Sequence, residues 1–479
     1  MTDTLAAILG AVALCAALGA LVDRALFAAG PRGVAERAGR ALLLGFLVTG
    51  CVSLALDTLG AGVSRATLGL GLLAIAAPCG LVLRRRRASR VPAPCPPPRE
   101  PLAGGALWAQ RGLLAFAALS LLLPLTAGLV LPPFQFDSLT RWLLKSKALA
   151  FEGTLDGPLS SDSAFAWTHQ RYPALLPHVA NVPAVLSGRW DERAAEGVYP
   201  WFAVALVLVA YGALARRADP LRAALGAAWV ASLPLVSFLP RPPPGSGAFS
   251  AMADVPLAAF AAAAGLALVD ALDEVRDRAH IEAALLLAGA ALTKNEGLPL
   301  LAGAALALLL GARRARWRRA AGVAGLAAGL YLLLWWSLAQ RFPALDENYA
   351  GRLHGEALAQ GWGRLRFLLP AFATEVVSFQ RWGLTWLAAA ALLVLGRPRR
   401  PVRALLALVG LQFASYLLAF VVSAWTSPSA EILAPSGGAV EYLLNLTLGR
   451  LFLHLAPLVV VLSLLASPTL HARTAPTGG

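Results

Sequence analysis

Apolar runs of about 16 to 23 residues, the length that crosses roughly 30 Å of hydrocarbon as a helix, recur along this chain. Inside a bilayer each segment must satisfy its own backbone hydrogen bonds, which an α-helix does. Only 14% of the 479 residues are charged, whereas a soluble domain averages about a quarter. The sequence therefore predicts an all-α, polytopic transmembrane helical bundle.

We predict about thirteen membrane spans from these runs. The predicted spans lie near residues 5–27, 41–62, 66–83, 111–131, 198–215, 219–239, 252–271, 279–293, 296–312, 320–340, 382–396, 404–425 and 449–467.

Arginine clusters set the predicted orientation. The longest are RRRR at Arg84–Arg87 and RRARWRR at Arg313–Arg319, and cytosolic loops are the ones enriched in Arg and Lys. The net charge of +15 then follows from topology and from anionic lipid headgroups, so no nucleic-acid partner is expected. The sequence predicts a multi-pass protein of the inner (plasma) membrane.

The predicted organisation has four parts, divided at a segment rich in proline and arginine. Residues 1–87 form a three-span N-terminal extension, 88–110 a cytosolic linker, 111–467 the main transmembrane module, and 468–479 a cytosolic tail. The main module includes two long outer loops, 132–197 and 341–381.

The outer loops are expected to contain short helices along the membrane surface. Ser138–Phe151 has helical apolar spacing, and Tyr172–Leu186 has similar character interrupted by prolines. Phe367–Phe379 is too short to span a bilayer. Apolar stretches of this kind are typical of interfacial helices.

Charged residues recur at the predicted outer ends of the spans. Asp137 follows the fourth span, Asp254 begins the seventh, Lys294 and Glu296 lie in the turn between two spans, and Arg450 begins the last. A charge within the bilayer costs at least about 2.5–3.5 kcal/mol. Because the topology brings these residues to one side, we predict a common site there.

Each residue also has a simpler interpretation. Asp137 and Asp254 are placed where a helix N-cap is favoured. Lys294 and Glu296 are close enough in sequence to pair locally. Arg450 is near a span end, where its side chain can extend to lipid headgroups.

Several motifs follow one another in the order of a known family. The acid Asp137 opens a long outer loop that contains RYPALLPHVANVPAVLSG (Arg171–Gly188). The motifs ADVP (Ala253–Pro256) and TKNEG (Thr293–Gly297) come next, and Arg450 is last. This pattern resembles the GT-C superfamily of membrane glycosyltransferases. It is most similar to the branch with protein O-mannosyltransferases and lipid A aminoarabinose transferases.

The resemblance covers roughly Leu113 to Leu465. It implies a GT-C-like fold and an enzyme that transfers a sugar from a polyprenyl-phosphate carrier to an extracytoplasmic glycan, lipid or protein of the cell envelope. It assigns Asp137 and Asp254 to catalysis, with Asp137 as the general base. Lys294 and Arg450 are assigned to the donor phosphate.

Four further residues are expected to bind substrate under this resemblance. They are Glu296, Arg171, Tyr172 and Arg381. Two features depart from the family pattern. Asp137 is followed by Ser138 instead of a second acid, and the loop follows the fourth span instead of the first.

Some alternatives stay open at this point. A divalent cation between Asp137 and Asp254 is one, since hard cations take oxygen ligands, although no metal ligand set is predicted. A glycan ligase or polymerase, or a transporter or flippase of a lipid-linked precursor, is the alternative function. A transporter usually shows repeats and interrupted helices with polar groups at the bilayer midplane.

Overall fold

The computed structural model describes residues 2–27, 32–88, 104–162, 165, 168–234, 236, 247–273, 278–311, 316–342, 353–423 and 438–467. Helices joined by short turns account for nearly all of these residues, and no strand is present among them. The predicted all-α class is therefore confirmed.

In the first half of the chain, the described residues form four long helices followed by five shorter ones. In order they are α1 (Thr2–Phe27), α2 (Val34–Thr58), α3 (Arg65–Ala88), α4 (Gly104–Val130), α5 (a π-helical turn Ser138–Leu143 continued by Leu144–Glu152), α6 (Pro158–Ser161), α7 (Leu175–Ala180), α8 (Val182–Ser187) and α9 (Glu192–Glu196).

The second half begins with α10 and ends with a bent pair of helices. In order they are α10 (Pro200–Arg217), α11 (Pro220–Ala231), α12 (Asp254–Leu272), α13 (Ala279–Thr293), the 3₁₀ turn Asn295–Gly297, α14 (Leu298–Gly311), α15 (Arg316–Tyr331, continued by Leu332–Trp336 and Ser337–Ala339), α16 (Gly355–Trp362), α17 (Leu365–Val377), α18 (Phe379–Trp382), α19 (Thr385–Gly396), α20 (Arg400–Val422), α21 (Gly438–Leu453) and α22 (Ala456–Ala466).

Eight helices in the described part of the chain are long and apolar enough to cross a membrane, or nine if a bent pair counts as one span. This is the architecture of a multi-pass membrane protein. Every predicted span overlaps a helix in the described part of the chain, but α11, α13, α14 and α19 are shorter than the eight. The number thirteen stays a prediction.

Two of the predicted spans differ from the helices that form. The span predicted to begin at residue 382 begins at Thr385, because Gly383 has a φ of +55° and interrupts the helix. The last predicted span bends by 41° between α21 and α22. Pro457, in the first turn of α22, lacks the backbone N–H that would continue the helix through the bend.

Helix α12 lies at the centre of the bundle. All 19 of its residues are buried, and it packs against α10, α13, α20 and α22. Its sequence is rich in alanine, and small side chains allow helices to approach closely in a membrane. The residue that begins this central helix is Asp254.

The predicted N-terminal extension packs directly on the rest of the bundle. Helices α1 and α2 cross where a Cβ on Gly19 would lie 1.8 Å from the carbonyl oxygen of Ala41. Likewise, a Cβ on Gly45 would lie 1.8 Å from the carbonyl oxygen of Cys15. Helix α2 then packs along α10. The division into modules stays a prediction, but these helices share one packed core.

A buried ion network joins α2 to this core. We call it the arginine network, and its members are Asp23, Arg32, Glu36, Arg40, Arg216, Arg217, Asp270 and Glu282. Arg216 lies 3.0 Å from Glu36 and 2.9 Å from Asp270. The network contains four acids and four arginines, so its charges cancel. Buried charges need such compensation, because an unpaired buried charge is strongly destabilising.

The short helices predicted in the first long loop do form, as α5, α7 and α8. The prediction that they lie along the membrane surface is wrong for α7. All six residues of Leu175–Ala180 are buried, because α7 packs between α2 and α5. The third predicted segment forms α17, with Phe367 and Leu369 exposed.

Candidate active site

Charged residues from four separate stretches of chain meet at one end of α12. Asp137 directly precedes α5, Asp254 is the first residue of α12, Lys294 follows α13, and Arg450 lies on α21. Their side chains are joined by ion pairs of 3.0 Å or less. The predicted convergence of these four residues is therefore present in the fold.

Arg450 bridges the two aspartates. Its Nη1 donates to Oδ2 of Asp137 at 2.7 Å, and its Nε donates to Oδ2 of Asp254 at 2.8 Å. The simpler interpretation, a side chain extending to headgroups, does not describe this geometry. The bridge links the start of the long loop to the central helix.

Asp254 accepts hydrogen bonds from three side chains. Besides Arg450, Nζ of Lys294 lies 3.0 Å and Nε2 of His454 2.9 Å from its Oδ1. Asp254 is 2% exposed, and it makes no side-chain cap at the start of α12. Its carboxylate is held by basic groups from three elements.

Lys294 also contacts Glu296, at 2.9 Å between Nζ and Oε1. The local pair that the simpler interpretation predicted is thus present, together with the contact to Asp254. Gln412 of α20 donates to the backbone carbonyl of Glu296 at 2.8 Å. The turn between α13 and α14 is therefore fixed to a neighbouring helix.

Asp137 lies between two arginines. Nε of Arg141 is 3.4 Å from Oδ1, while Arg450 contacts Oδ2. Burial alone would raise the pKa of Asp137, but the charges of Arg450 and Arg141 outweigh it and hold the pKa below the ordinary value. The carboxylate is ionised at neutral pH, and it makes no side-chain cap of the following helix.

Sequence reasoning missed two members of the site, Arg141 and His454. Each follows a recognised residue by four positions, Asp137 and Arg450 respectively, and residues four apart share a helix face. That spacing was the available signal. Tyr416 OH lies 3.0 Å from Nδ1 of His454, and no sequence spacing pointed to this contact from α20.

We call this set the ion cluster. It comprises Asp137, Arg141, Asp254, Lys294, Glu296, Arg450 and His454. Three carboxylates face three permanent cations, so the ion cluster is neutral overall when the histidine is uncharged.

The other predicted substrate residues are not members of the ion cluster's described ion pairs. Tyr172 packs beside it, with the guanidinium of Arg141 5.6 Å from its ring centroid. Arg171 donates to the carbonyl of Phe342 at 2.9 Å. Tyr172 therefore touches the edge of the ion cluster through Arg141, while the described contact of Arg171 holds the loop.

Arg381 pairs with Glu375 at 2.7 Å. Its Nη1 lies 3.4 Å from the position that a Cβ on Gly449 would take. Since Gly449 precedes Arg450, the Glu375–Arg381 pair borders the helix turn that carries the bridge.

The side chains do not fit a metal in this arrangement. Arg450 lies between the two carboxylates that would share a cation, and Lys294 and His454 occupy the remaining oxygen of Asp254. The described residues contain no group of three His, Cys, Asp or Glu side chains that suits a metal ion.

Comparison of this chain with protein-family models, with curated proteins and with solved structures finds no match.

Proposed function

We propose that this chain is an integral membrane glycosyltransferase that moves a sugar from a polyprenyl-phosphate carrier to an extracytoplasmic acceptor. The observation that carries the proposal is the meeting of Asp137 with Lys294 and Arg450 at one site. The bundle of apolar helices around it supports a lipid-linked donor.

The proposed reaction needs a base and a site for a departing phosphate. The acceptor hydroxyl attacks the anomeric carbon, and the bond from that carbon to the phosphate oxygen breaks with its electron pair on the phosphate. The hydroxyl proton passes to Asp137. A carboxylate within hydrogen-bond reach is what general-base catalysis requires.

The departing phosphate gains a negative charge, which Lys294 and Arg450 neutralise. Arg offers a planar set of donors suited to phosphate, and Lys acts as a compact charge. Stabilising charge that develops on a leaving group is commonly a large catalytic effect. Asp254 holds both cations in place, at 3.0 and 2.8 Å.

Donor binding and base activation are coupled through Arg450 in this scheme. In the present arrangement Arg450 contacts Asp137. A phosphate that attracts Arg450 weakens that contact and makes Asp137 more basic. The charges of the ion cluster fit this exchange. Because each cation is already paired with a carboxylate, an incoming phosphate binds only by competing with those carboxylates for the cations.

The test is a transfer assay with purified chain in lipid nanodiscs, a panel of polyprenyl-phosphate-linked monosaccharides and an envelope extract as acceptor. We expect sugar transfer by the natural chain and a rate about 10²- to 10⁴-fold lower for Asp137→Asn, the usual contribution of a general base. Asp156→Asn, which removes an exposed acid of the same loop paired with Arg341, is the control.

Near-normal transfer by Asp137→Asn would remove that residue from the mechanism. Transfer of oligosaccharides from a pyrophosphate carrier would favour the ligase or polymerase alternative instead. Movement of a lipid-linked sugar across the bilayer without transfer would favour a flippase.

A further inference from the structure

The outer end of α2, in the predicted orientation, holds the long loop through a buried aspartate. Asp57 accepts from Oγ1 of Thr154 at 2.6 Å and from the backbone N–H of Leu155 at 3.2 Å. Its Oδ2 lies 3.4 Å from Nε2 of His178. Both Asp57 and His178 are buried.

Helix α7 is fixed to α2 over a full turn by the same histidine. Nδ1 of His178 lies 2.8 Å from Oγ of Ser53, one turn before Asp57. At Gly50, one further turn along, an added Cβ would lie 2.4 Å from Leu175. Helix α7 therefore rests on α2 with little room for movement.

Helix α7 is also tied to the helix that carries Asp137. Ser146 of α5 donates to the carbonyl of Pro177 at 3.0 Å. Lys145, also on α5, donates to the carbonyl of Tyr172 at 2.8 Å, just before α7. A continuous set of hydrogen bonds thus runs from α2 through α7 to α5.

The opposite end of α2 is fixed by the arginine network. Arg40 pairs with Glu282 of α13, and Glu36 pairs with Arg216 of α10. Arg216 pairs in turn with Asp270 near the end of α12. Since α12 begins with Asp254, α2 is fixed to the helix that carries one aspartate of the ion cluster and to the loop that carries the other.

We propose that Asp57 and His178 are positioning residues for the ion cluster. Through α7 they hold α5 so that Asp137 meets Arg450, and α2 of the N-terminal extension is thereby part of the active site's framework. The catalytic consequence depends on the proposed glycosyltransferase function, whereas the ordering of α5 by α2 does not.

The experiment compares Asp57→Asn with Asp3→Asn in the full chain in lipid nanodiscs. Asp3 also joins an N-terminal helix to the same loop, through Arg189, but that pair is exposed. Hydrogen exchange of residues 138–152 and 175–187 is measured, together with kcat and KM for the lipid-linked donor.

We expect Asp57→Asn to raise exchange in both segments by about tenfold, the effect of losing a buried charged contact. A similar fall in kcat should accompany it, with KM for the donor changing less than about twofold, because the side-chain contacts described for Asp57 and His178 do not include Lys294 or Arg450. Asp3→Asn should change neither quantity. His178→Gln should not add to the effect of Asp57→Asn, since contacting residues are coupled.

Faster exchange confined to 175–187, with 138–152 unchanged, would overturn the proposal. So would an unchanged kcat in an active chain carrying Asp57→Asn. If the natural chain transfers no sugar, the proposed function fails, while the exchange of 138–152 still decides whether α2 orders α5. If Asp57→Asn does not insert, Ser53→Ala, which removes only the hydroxyl contact to His178, gives the same measurement.

Discussion

Arg450 determines the geometry of the ion cluster because it contacts two carboxylates at once. A buried ion pair that loses one partner leaves a charge without compensation, which costs about 3–5 kcal/mol. Lys294 pairs with Asp254 and Glu296, and its described ion pairs do not include Asp137. Arg450 is therefore the residue that keeps Asp137 close to the central helix.

The buried side chain of Lys145 makes the stability of the folded chain depend on pH. Burial, and then the charge of Arg141, lower the pKa of Lys145 to about 7. The contacts of its ammonium are the carbonyls of His169 and Tyr172 and the ring of Trp335. In the unfolded chain Lys145 holds its proton to about pH 10.5.

The folded state therefore binds fewer protons than the unfolded state between about pH 7 and pH 10.5, and stability rises with pH over that window. We expect the melting temperature of the natural chain to rise from about pH 7 to about pH 9, and that rise to be smaller in Lys145→Met. Lys147→Met, which removes an exposed lysine paired with Glu192, is the control. Equal pH profiles for all three chains would contradict the assignment.

At the scale of elements, the crossing of α1 and α2 depends on glycine. A side chain at Gly19 would meet the backbone of Ala41, whereas an added Cβ at Gly10 of the same helix has no atom within 4 Å. We expect Gly19→Leu to destabilise the chain by about 1–3 kcal/mol, as overpacking does. Gly10→Leu should have little effect.

Thermal unfolding of both leucine variants in nanodiscs measures the difference. Each variant adds the same apolar side chain to the same helix. A general effect of leucine on membrane insertion would therefore change both melting temperatures equally. Similar melting temperatures for Gly19→Leu and Gly10→Leu would show that the close crossing does not form.

Apolar run length predicted the helices well, since each of the predicted spans overlaps a helix in the described part of the chain. The pattern did not predict burial of α7, because a short apolar helix that contains a proline, Pro177, has the same sequence character at a membrane interface and in a protein core. Ion pairs between residues four positions apart, such as Asp137 with Arg141, could have been predicted from their spacing in the sequence. The contact from Tyr416 to His454 depends on how α20 packs, and periodicity carries no information about that.

At the scale of the whole molecule, the ion cluster and the arginine network lie at opposite ends of the bundle. Asp254 and Asp270 are 16 positions apart on α12, so about 24 Å of helix separates them. This distance is close to the thickness of the hydrocarbon core. The predicted orientation places the arginine network at the cytosolic end of the bundle and the ion cluster at the extracytoplasmic end.

Single-cysteine labelling tests that orientation in a chain whose natural cysteines are replaced. Ser187→Cys, in the predicted outer loop, should react with a membrane-impermeant maleimide in intact spheroplasts. Arg399→Cys, in a predicted cytosolic loop, should react only after permeabilisation. Both positions are exposed. The reverse pattern would place the ion cluster in the cytosol and contradict an extracytoplasmic reaction.

The arginine network also has a consequence for how the protein is made. Arg40 and its partner Glu282 are 242 residues apart, and synthesis at about 5–20 residues per second takes about 12 to 50 s to cover that interval. During this time α2 leaves the ribosome with Glu36 as its near counter-charge, and final assembly waits for α13. Until Glu282 is made, Glu36 is the only described ion-pair partner of Arg40 that is present.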